Sequence, residues 1–190
     1  MIEREIKIII SESILFKYKN ILDKLAEHKK ALQINYYYDT QDYKLSSLGN
    51  TLRVRQKGNQ LKLQYKYEKH YTGNEKFCKE FEIAVHTFPL YISSNDIPCI
   101  KQDTIERYGF VGSLATERLD YIYAETIISL DKNYYFGKCD YEIEIEFQEY
   151  KNAETILKLL SIEKGETQEM GKYKRFVKEL QRLESDKNGY

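Results

Sequence analysis

Acidic residues recur at every second position in three segments of this sequence. They are Glu3 and Glu5, Glu80 and Glu82, and the run Glu142, Glu144 and Glu146. In a β-strand such residues share one face and lie about 7 Å apart, so their carboxylates repel each other. Carboxylate oxygens are the ligands that Mg²⁺ and Mn²⁺ prefer. The three segments therefore indicate a site for hard divalent cations.

Basic residues are sorted in a similar way onto other segments. They are Arg53 and Arg55, Lys62 and Lys66, and the isolated Lys7 and Arg118. Arginine binds phosphate oxygens as a planar fork and lysine as a point charge. One such pair alone is typical of a solvated sheet face, but the sorting of charge over many segments favours a common binding site. If the strands closed into a barrel with these faces inward, they would enclose acidic and basic walls suited to a polyanion with divalent cations.

Alternating apolar and charged residues predict that β-strands dominate the chain. Strands are predicted at 2–10, 33–39, 51–57, 60–68, 76–85, 115–124, 125–131 and 139–148. Helical spacing of apolar residues predicts helices at 14–28, 153–160 and 172–183. A further helix is predicted within 86–113, capped by Asn95 or Asp96, with Pro98 in its first turn and Gly109 at its end. We therefore expect an α+β fold, mainly β, with helices against the apolar side of the sheet.

The composition limits the fold and the partners. The chain has 190 residues, and its 30 Lys and Arg balance its 30 Asp and Glu, so the formal net charge is zero. This balance argues against a uniformly basic protein, and we expect neither nucleic acid nor a membrane as a partner. Because no segment resembles a linker, a single domain over 1–190 is predicted. The sequence shows no apolar run of about 18 residues and no signal-peptide pattern at its start, so a cytoplasmic location is expected.

Ordered motifs along nearly the whole chain resemble those of the CYTH superfamily, the triphosphate tunnel metalloenzymes. In chain order they are ExExK at 3–7, Tyr-Asp-Thr at 38–40, LRVR at 52–55, LQYK at 63–66, Glu80 with Glu82, TER at 116–118, Leu130-Asp131, DYEIE at 140–144 and GKYKRF at 171–176. The resemblance implies a closed eight-stranded antiparallel β-barrel, with helices packed outside, that binds a triphosphate and hydrolyses it with a divalent metal. Two departures are Thr116, where many members carry a second basic residue beside Arg118, and Glu146, which extends the usual acidic pair.

The resemblance also implies roles for individual residues. Those expected to take part in catalysis are Glu5, Lys7, Arg53 and Glu144. Those expected to bind the triphosphate are Lys7, Arg53, Arg55, Lys62, Lys66, Arg118, Lys172 and Arg175. Those expected to hold Mg²⁺ or Mn²⁺, or to position the groups around it, are Glu3, Glu5, Glu80, Glu82, Asp131, Glu142, Glu144 and Glu146.

The substrate expected from this reasoning is a small triphosphate, with inorganic triphosphate preferred. An adenylyl cyclase of class IV would have the same walls, but no part of the sequence indicates a purine pocket. Thiamine triphosphate hydrolysis would need an aromatic site for a cation, and the chain has tyrosines and phenylalanines but no tryptophan. A module that binds nucleotides or polyphosphate without turnover is a third alternative. The chain is expected to be a monomer or a homodimer.

Overall fold

Antiparallel strands make up most of the described chain, which comprises residues 2–72, 75–100, 105–163 and 170–187 of a computed structural model. The strands are β1 Ile2–Ile10, β2 His28–Asp39, β3 Thr51–Lys57, β4 Gln60–Thr72, β5 Glu75–Val85, β6 Tyr91–Ser93, β7 Arg107–Tyr123, β8 Thr126–Tyr135 and β9 Lys138–Phe147. The α-helices are α1 Glu12–Leu22, α2 Lys44–Ser47, α3 Tyr150–Leu160 and α4 Lys172–Lys187, and Ser94–Asp96 forms a 3₁₀-helix.

Eight of these strands close into a barrel in the order β2-β3-β4-β5-β1-β9-β8-β7. The ring is closed by β2 and β7, which pair from His28 opposite Tyr121 to Asp39 opposite Gly109. The short strand β6 pairs with β7 as one additional strand. Closure leaves no unpaired edge in the ring itself. The expected eight-stranded antiparallel barrel, mainly β and with helices outside, is therefore confirmed.

Strand alternation places apolar side chains outside the barrel and charged side chains inside. On β1, Ile6 and Ile8 pack in a core with Leu22 of α1 and Ile156 of α3. The residues that alternate with these isoleucines, such as Glu5 and Lys7, point to the opposite side of the strand and face the interior. The periodicity that predicted the strands thus also determines which side chains are available for chemistry.

The first turns of α4 pack against the barrel wall at a glycine. A Cβ built on Gly112 of β7 would lie 2.6 Å from Cζ of Phe176, and Gly112 has a φ of +154°. Phe176 is fully buried and packs with Tyr37 and Tyr173. Only glycine leaves room for this approach. The contact fixes the helix that carries Lys172, one turn before Phe176.

The prediction of a helix within 86–113 is wrong for the residues of this segment that the structure describes. A capping box at Ser93 and Asp96 closes only the 3₁₀-turn, and Ile97 returns to extended backbone. From Arg107 the chain runs as β7, whose backbone groups pair with β2 and β8. Residues 101–104 lie outside the described residues. The cap is Ser93 rather than Asn95 or Asp96, and pairing with distant strands determines the rest of the segment.

The structure also differs from the sequence prediction at the end of α1 and at α2. The first helix ends at Leu22 rather than near His28, because β2 begins at His28 and pairs there with Tyr121 of β7. The short helix α2 was not predicted. Asp39 accepts hydrogen bonds from the backbone N–H groups of Leu45 and Ser46, which attaches this helix to the end of β2. No helix in the described ranges is long and apolar enough to span a membrane.

Candidate active site

A cavity of about 250 Å³ lies inside the barrel. The strands and α4 bring to it most of the residues that the sequence singled out. The predicted site residues that line it are Glu3, Glu5, Lys7, Arg53, Arg55, Lys66, Arg118, Glu144, Glu146 and Lys172. The other predicted site residues do not line this cavity, and they are Lys62, Glu80, Glu82, Asp131, Glu142 and Arg175.

Three glutamates form one acidic group in the cavity, which we call the acidic cluster: Glu3, Glu5 and Glu146. Glu5 of β1 lies opposite Glu146 of β9, and Glu3 shares the face of Glu5. One carboxylate oxygen from each of the three residues lies within 4.8 Å of the others. Burial opposes ionisation of Glu5, but Lys7 and Lys76 outweigh it and hold its pKa below the ordinary value.

Glu146 carries the surplus negative charge of the acidic cluster. Burial, and after it the neighbouring carboxylates Glu144, Glu3 and Glu5, raise the pKa of Glu146 to about 7. Arg118 favours the ionised form but contributes less than burial and these carboxylates, so the negative charge of Glu146 is under-compensated. Three carboxylates within reach of one point, one of them under-compensated, form a donor set of the kind that Mg²⁺ or Mn²⁺ takes. The residues present fit a divalent cation.

A second acidic group surrounds the ammonium of Lys172. The group consists of Asp131, Glu142 and Glu144. Lys172 Nζ lies 2.7 Å from Asp131 Oδ2 and 2.7 Å from Glu144 Oε1, and it also pairs with Glu142. Burial opposes the charge on Lys172, but these three carboxylates raise its pKa above the ordinary value. Here the carboxylates position a cation of the protein itself.

Arg118 is held by the same carboxylates. Its Nη2 atom lies 2.5 Å from Asp131 Oδ2 and 2.5 Å from Glu144 Oε2. Lys7 approaches from the other side, with its Nζ atom 2.6 Å from Glu144 Oε1 and 3.5 Å from Glu5 Oε1. Glu144 thus joins three cations of the cavity to one carboxylate. Such a network fixes the cations before any ligand binds.

Arg53 and Arg55 form the basic wall of the cavity, and their partners are neutral. Arg53 Nε donates to Gln64 Oε1 at 2.7 Å, and Arg55 Nε donates to Asn35 Oδ1 at 2.9 Å. Among the described residues, neither guanidinium has a carboxylate oxygen within 4.0 Å. Burial lowers the pKa of Arg55 to about 9, and the like charges of Arg53 and Arg118 contribute. The basic wall therefore carries positive charge that no carboxylate of the described residues contacts.

Two neutral donors on β2 accompany the basic wall, and sequence reasoning missed both. Asn35 lies opposite Arg55 and Tyr37 lies opposite Arg53. Both side chains are fully buried, and within the described part of the chain Asn35 Nδ2 and the Tyr37 hydroxyl have no hydrogen-bond partner. A buried donor without an acceptor costs free energy. Their signal in the sequence was parity: in an antiparallel pair they share the face of the two arginines.

The predicted residues outside the cavity have other partners. Lys62 Nζ lies 2.5 Å from Glu82 Oε1, and both side chains are more than a third exposed. Arg175 Nη2 donates to Glu142 Oε2 at 2.6 Å and also contacts Asp140. Glu80 lies opposite Lys66 on the neighbouring strand. Lys69 and Lys76 were not predicted, yet both line the cavity.

The fold and the cavity thus define a closed antiparallel barrel with opposite charges inside. The chain belongs to the CYTH domain family, whose sequence pattern matches residues 1–177. The expected family resemblance is therefore confirmed.

Individual relatives support the same family. The chain is 28% identical over 189 residues to YjbK of Bacillus subtilis (strain 168), a protein named as a candidate triphosphatase; the match covers 90% of this chain and 97% of YjbK. Among solved structures, HpAC1 from Hippeastrum has a TM-score of 0.71 at 21% identity, covering 93% of this chain and 95% of that one. It is described as a candidate adenylyl cyclase with a dominant triphosphatase activity. A candidate adenylate cyclase from Bacillus halodurans has a TM-score of 0.65 at 24% identity, with coverages of 90% and 95%. The likeness to these two structures concerns the fold.

Proposed function

We propose that this protein hydrolyses triphosphate compounds, inorganic triphosphate in particular, with Mg²⁺ or Mn²⁺ as cofactor. The substrate would lie in the barrel cavity between the acidic cluster and the basic wall. A cavity of about 250 Å³ inside a closed barrel suits a small molecule. The names of YjbK and HpAC1, both of which refer to triphosphatase activity, support the same reaction class.

One observation carries the proposal: opposite surpluses of charge face the same cavity. The basic wall has two guanidinium groups without carboxylate partners, and the acidic cluster has a carboxyl group whose pKa is raised to about 7. A metal ion alone would leave the arginines without an anion, and a phosphate chain alone would leave the glutamates without a cation. A triphosphate bound together with a divalent cation satisfies both walls.

Residues on different sides of the cavity would have different roles in binding and hydrolysis. A divalent cation held by the acidic cluster would supply Lewis acidity and lower the pKa of a bound water. Arg53 and Arg55 would bind phosphate oxygens and stabilise the negative charge that moves onto the leaving group. Tyr37, which lines the cavity, would donate its free hydrogen bond to the same oxygens, and Asn35 would hold Arg55 in place. Lys7 would contact the phosphate nearest the acidic cluster.

Lys172 and Arg118 would complete the substrate site from the opposite side. Both line the cavity and both are already fixed by Asp131 and Glu144. Cations held in place before binding lose little freedom when the substrate arrives, which favours catalysis. In this arrangement Asp131 and Glu142 act by positioning basic groups, and the metal ligands would be the three members of the acidic cluster.

The direct test is phosphate release by the purified protein from tripolyphosphate, ATP and thiamine triphosphate, each with Mg²⁺, with Mn²⁺ and with a chelator. We expect metal-dependent release, fastest from tripolyphosphate. Cyclic AMP is measured in the ATP reactions, because a cyclase would bind ATP between the same walls. Cyclic AMP without phosphate release, or tight binding without turnover under any metal, would overturn the proposal.

A further inference from the structure

The strand β4 contains a bulge beside the cavity. Its register against β5 shifts between Tyr67 and His70, so that Glu68 and Lys69 together lie opposite the single residue Cys78. Glu68 has a φ of +48°, in the left-handed region that this residue type rarely adopts. Strict alternation along β4 would turn Glu68 to the interior. The bulge turns Lys69 there instead, and Lys69 lines the cavity.

Lys69 differs in its partner from Lys66 and Lys76, the neighbouring cavity lysines of β4 and β5. Lys66 and Lys76 each pair with a glutamate of β1. Lys69 Nζ lies 3.1 Å from the neutral Thr51 Oγ1, and no carboxylate oxygen of the described residues lies within 4.0 Å of it. Burial, and then the like charge of Lys76, lowers the pKa of Lys69 to about 7. The ammonium form thus lacks an anion in this cavity.

The position of Lys69 extends the basic wall in one direction. Thr51, Arg53 and Arg55 occupy alternate positions of β3, so they share a face with about 7 Å between successive residues. Lys69 joins this column at its Thr51 end. At that end the cavity is also lined by Ser46 of α2 and by Leu48, Gly49 and Asn50, which connect α2 to β3. Three cations without carboxylate partners therefore form a line that ends at Lys69.

We propose that Lys69 binds the terminal phosphate at this end of the cavity and makes the site selective for a triphosphate whose ends are both unesterified. The inference rests on the proposed function, because it assumes that a triphosphate lies along the basic wall. A terminal phosphate without an ester carries one more ionisable oxygen than an esterified one. A buried cation binds the more highly charged phosphate more tightly, since charge-assisted hydrogen bonds are stronger than neutral ones.

An esterified triphosphate fits this end less well for a second reason. The interior of an eight-stranded barrel is only wide enough for side chains or one small ligand, so a nucleoside or thiamine group must extend beyond the phosphate chain along the axis. At the Thr51 end that group would meet the ammonium of Lys69 and separate it from the phosphate oxygens. Lys69 would then lose its anion, and the polar ammonium would stay buried without compensation. Inorganic triphosphate avoids this cost.

The test compares Lys69→Met and Lys69→Arg with the wild type. Dissociation constants for tripolyphosphate and for ATP are measured by titration calorimetry without added metal, and kcat/KM for both is measured with Mg²⁺. Lys57→Met is the matched control, because Lys57 is exposed at the end of β3 and does not line the cavity. We expect Lys69→Met to weaken tripolyphosphate binding about 10-fold or more and ATP binding less than about 3-fold. Lys69→Arg keeps the charge and should keep most of the preference.

Each result distinguishes this inference from the proposed function. If the wild-type protein neither binds the two compounds without metal nor hydrolyses either of them with Mg²⁺, the proposed function itself fails. If the wild type binds tripolyphosphate and Lys69→Met binds it equally well, only the role of Lys69 fails. Equal losses for tripolyphosphate and ATP would show that Lys69 contacts a phosphate but does not select, and would overturn the selectivity. Cooperative thermal unfolding of the three variants, with midpoints no lower than that of the wild type, rules out misfolding as the cause of a loss.

Discussion

At the scale of single residues, the feature that matters most is positive charge left without a counterion. Arg53, Arg55 and Lys69 line one cavity, and the hydrogen-bond acceptors that they contact among the described residues are neutral. Buried charges are costly unless they are paired, so a protein keeps them unpaired where a ligand completes the pairing. These residues should therefore contribute to binding and detract from the stability of the unliganded fold.

Replacing Arg53 tests that trade-off. Arg53→Met removes a phosphate contact, and we expect kcat/KM for tripolyphosphate to fall about 100-fold or more while the free energy of unfolding stays equal or rises. Steady-state kinetics and urea denaturation measure the two effects. The control is Arg107→Met, since Arg107 is exposed and stacks on Tyr91 outside the cavity. A parallel loss of activity and stability would show that Arg53 is structural.

The pKa of Lys69 predicts how stability depends on pH. Its folded-state pKa is about 7, below the value of about 10.4 for an unfolded lysine, so folding expels a proton between these values. The cost is present in full below pH 7 and fades as the pH approaches 10. Lys69→Met should therefore raise the midpoint of thermal unfolding by about 5 °C at pH 6, and by less at pH 9.5. A gain that is the same at both values would contradict the shift.

The raised pKa of Glu146 predicts the opposite dependence of stability on pH, and it predicts that a bound metal changes this dependence. Its folded-state pKa is about 7, above that of an unfolded glutamate, so the wild type loses stability as the pH rises from about 4.5 to 7. Without metal, Glu146→Gln should melt a few degrees above the wild type at pH 8 and equally at pH 4.5. Mn²⁺ should reverse the order at pH 8, because it binds the wild-type cluster more tightly.

Calorimetric melting curves with and without Mn²⁺ measure this reversal. The exposed Glu27 offers a matched control, and Glu27→Gln should leave the gain from Mn²⁺ unchanged. If Mn²⁺ stabilises wild type and Glu146→Gln alike, the acidic cluster does not hold the metal.

At the scale of elements, α4 is positioned by one glycine of β7. Gly112→Ala would place a Cβ 2.6 Å from Phe176 Cζ, in a backbone conformation that alanine rarely adopts. We expect a loss of about 1–3 kcal/mol in the free energy of unfolding. A further loss of activity should follow, because Lys172 lies one turn before Phe176. Gly109→Ala in the same strand is the control, since a Cβ there would meet nothing within 4 Å. Equal stability of the two variants in urea would refute the packing argument.

The elements also show what can be derived from the sequence. The alternation of apolar and charged residues predicted most of the barrel strands, because a strand with one apolar and one charged face has a two-residue period in its sequence. It failed within 86–113, where a capping box at Ser93 and Asp96 is a local signal and the pairing of β7 with β2 and β8 is not. It also failed at Lys69, because a bulge reverses the parity of β4 without leaving a pattern in the residues.

The candidate site divides in the same way. Charged residues of the motifs were predictable, and most of them line the cavity. The sequence did not predict which carboxylates lie close enough together to hold one metal ion. Glu146 lies beside Glu3 and Glu5 only because of the register of β9 against β1. The neutral donors Asn35 and Tyr37 gave no charge signal, and only their pairing with Arg55 and Arg53 reveals them.

At the scale of the whole molecule, a formal net charge of zero conceals a strong internal separation of charge. Closure of the ring by β2 and β7 brings walls of opposite sign around one small volume. Single-domain organisation and the choice between monomer and homodimer stay predictions.

The most direct test of the central claim is a crystal structure of the protein with tripolyphosphate and Mn²⁺, with manganese located by its anomalous scattering. The account predicts manganese among Glu3, Glu5 and Glu146. It also predicts a phosphate chain along Arg53 and Arg55 that ends at Lys69. Tripolyphosphate bound outside the barrel, or manganese at a site remote from the three glutamates, would contradict it.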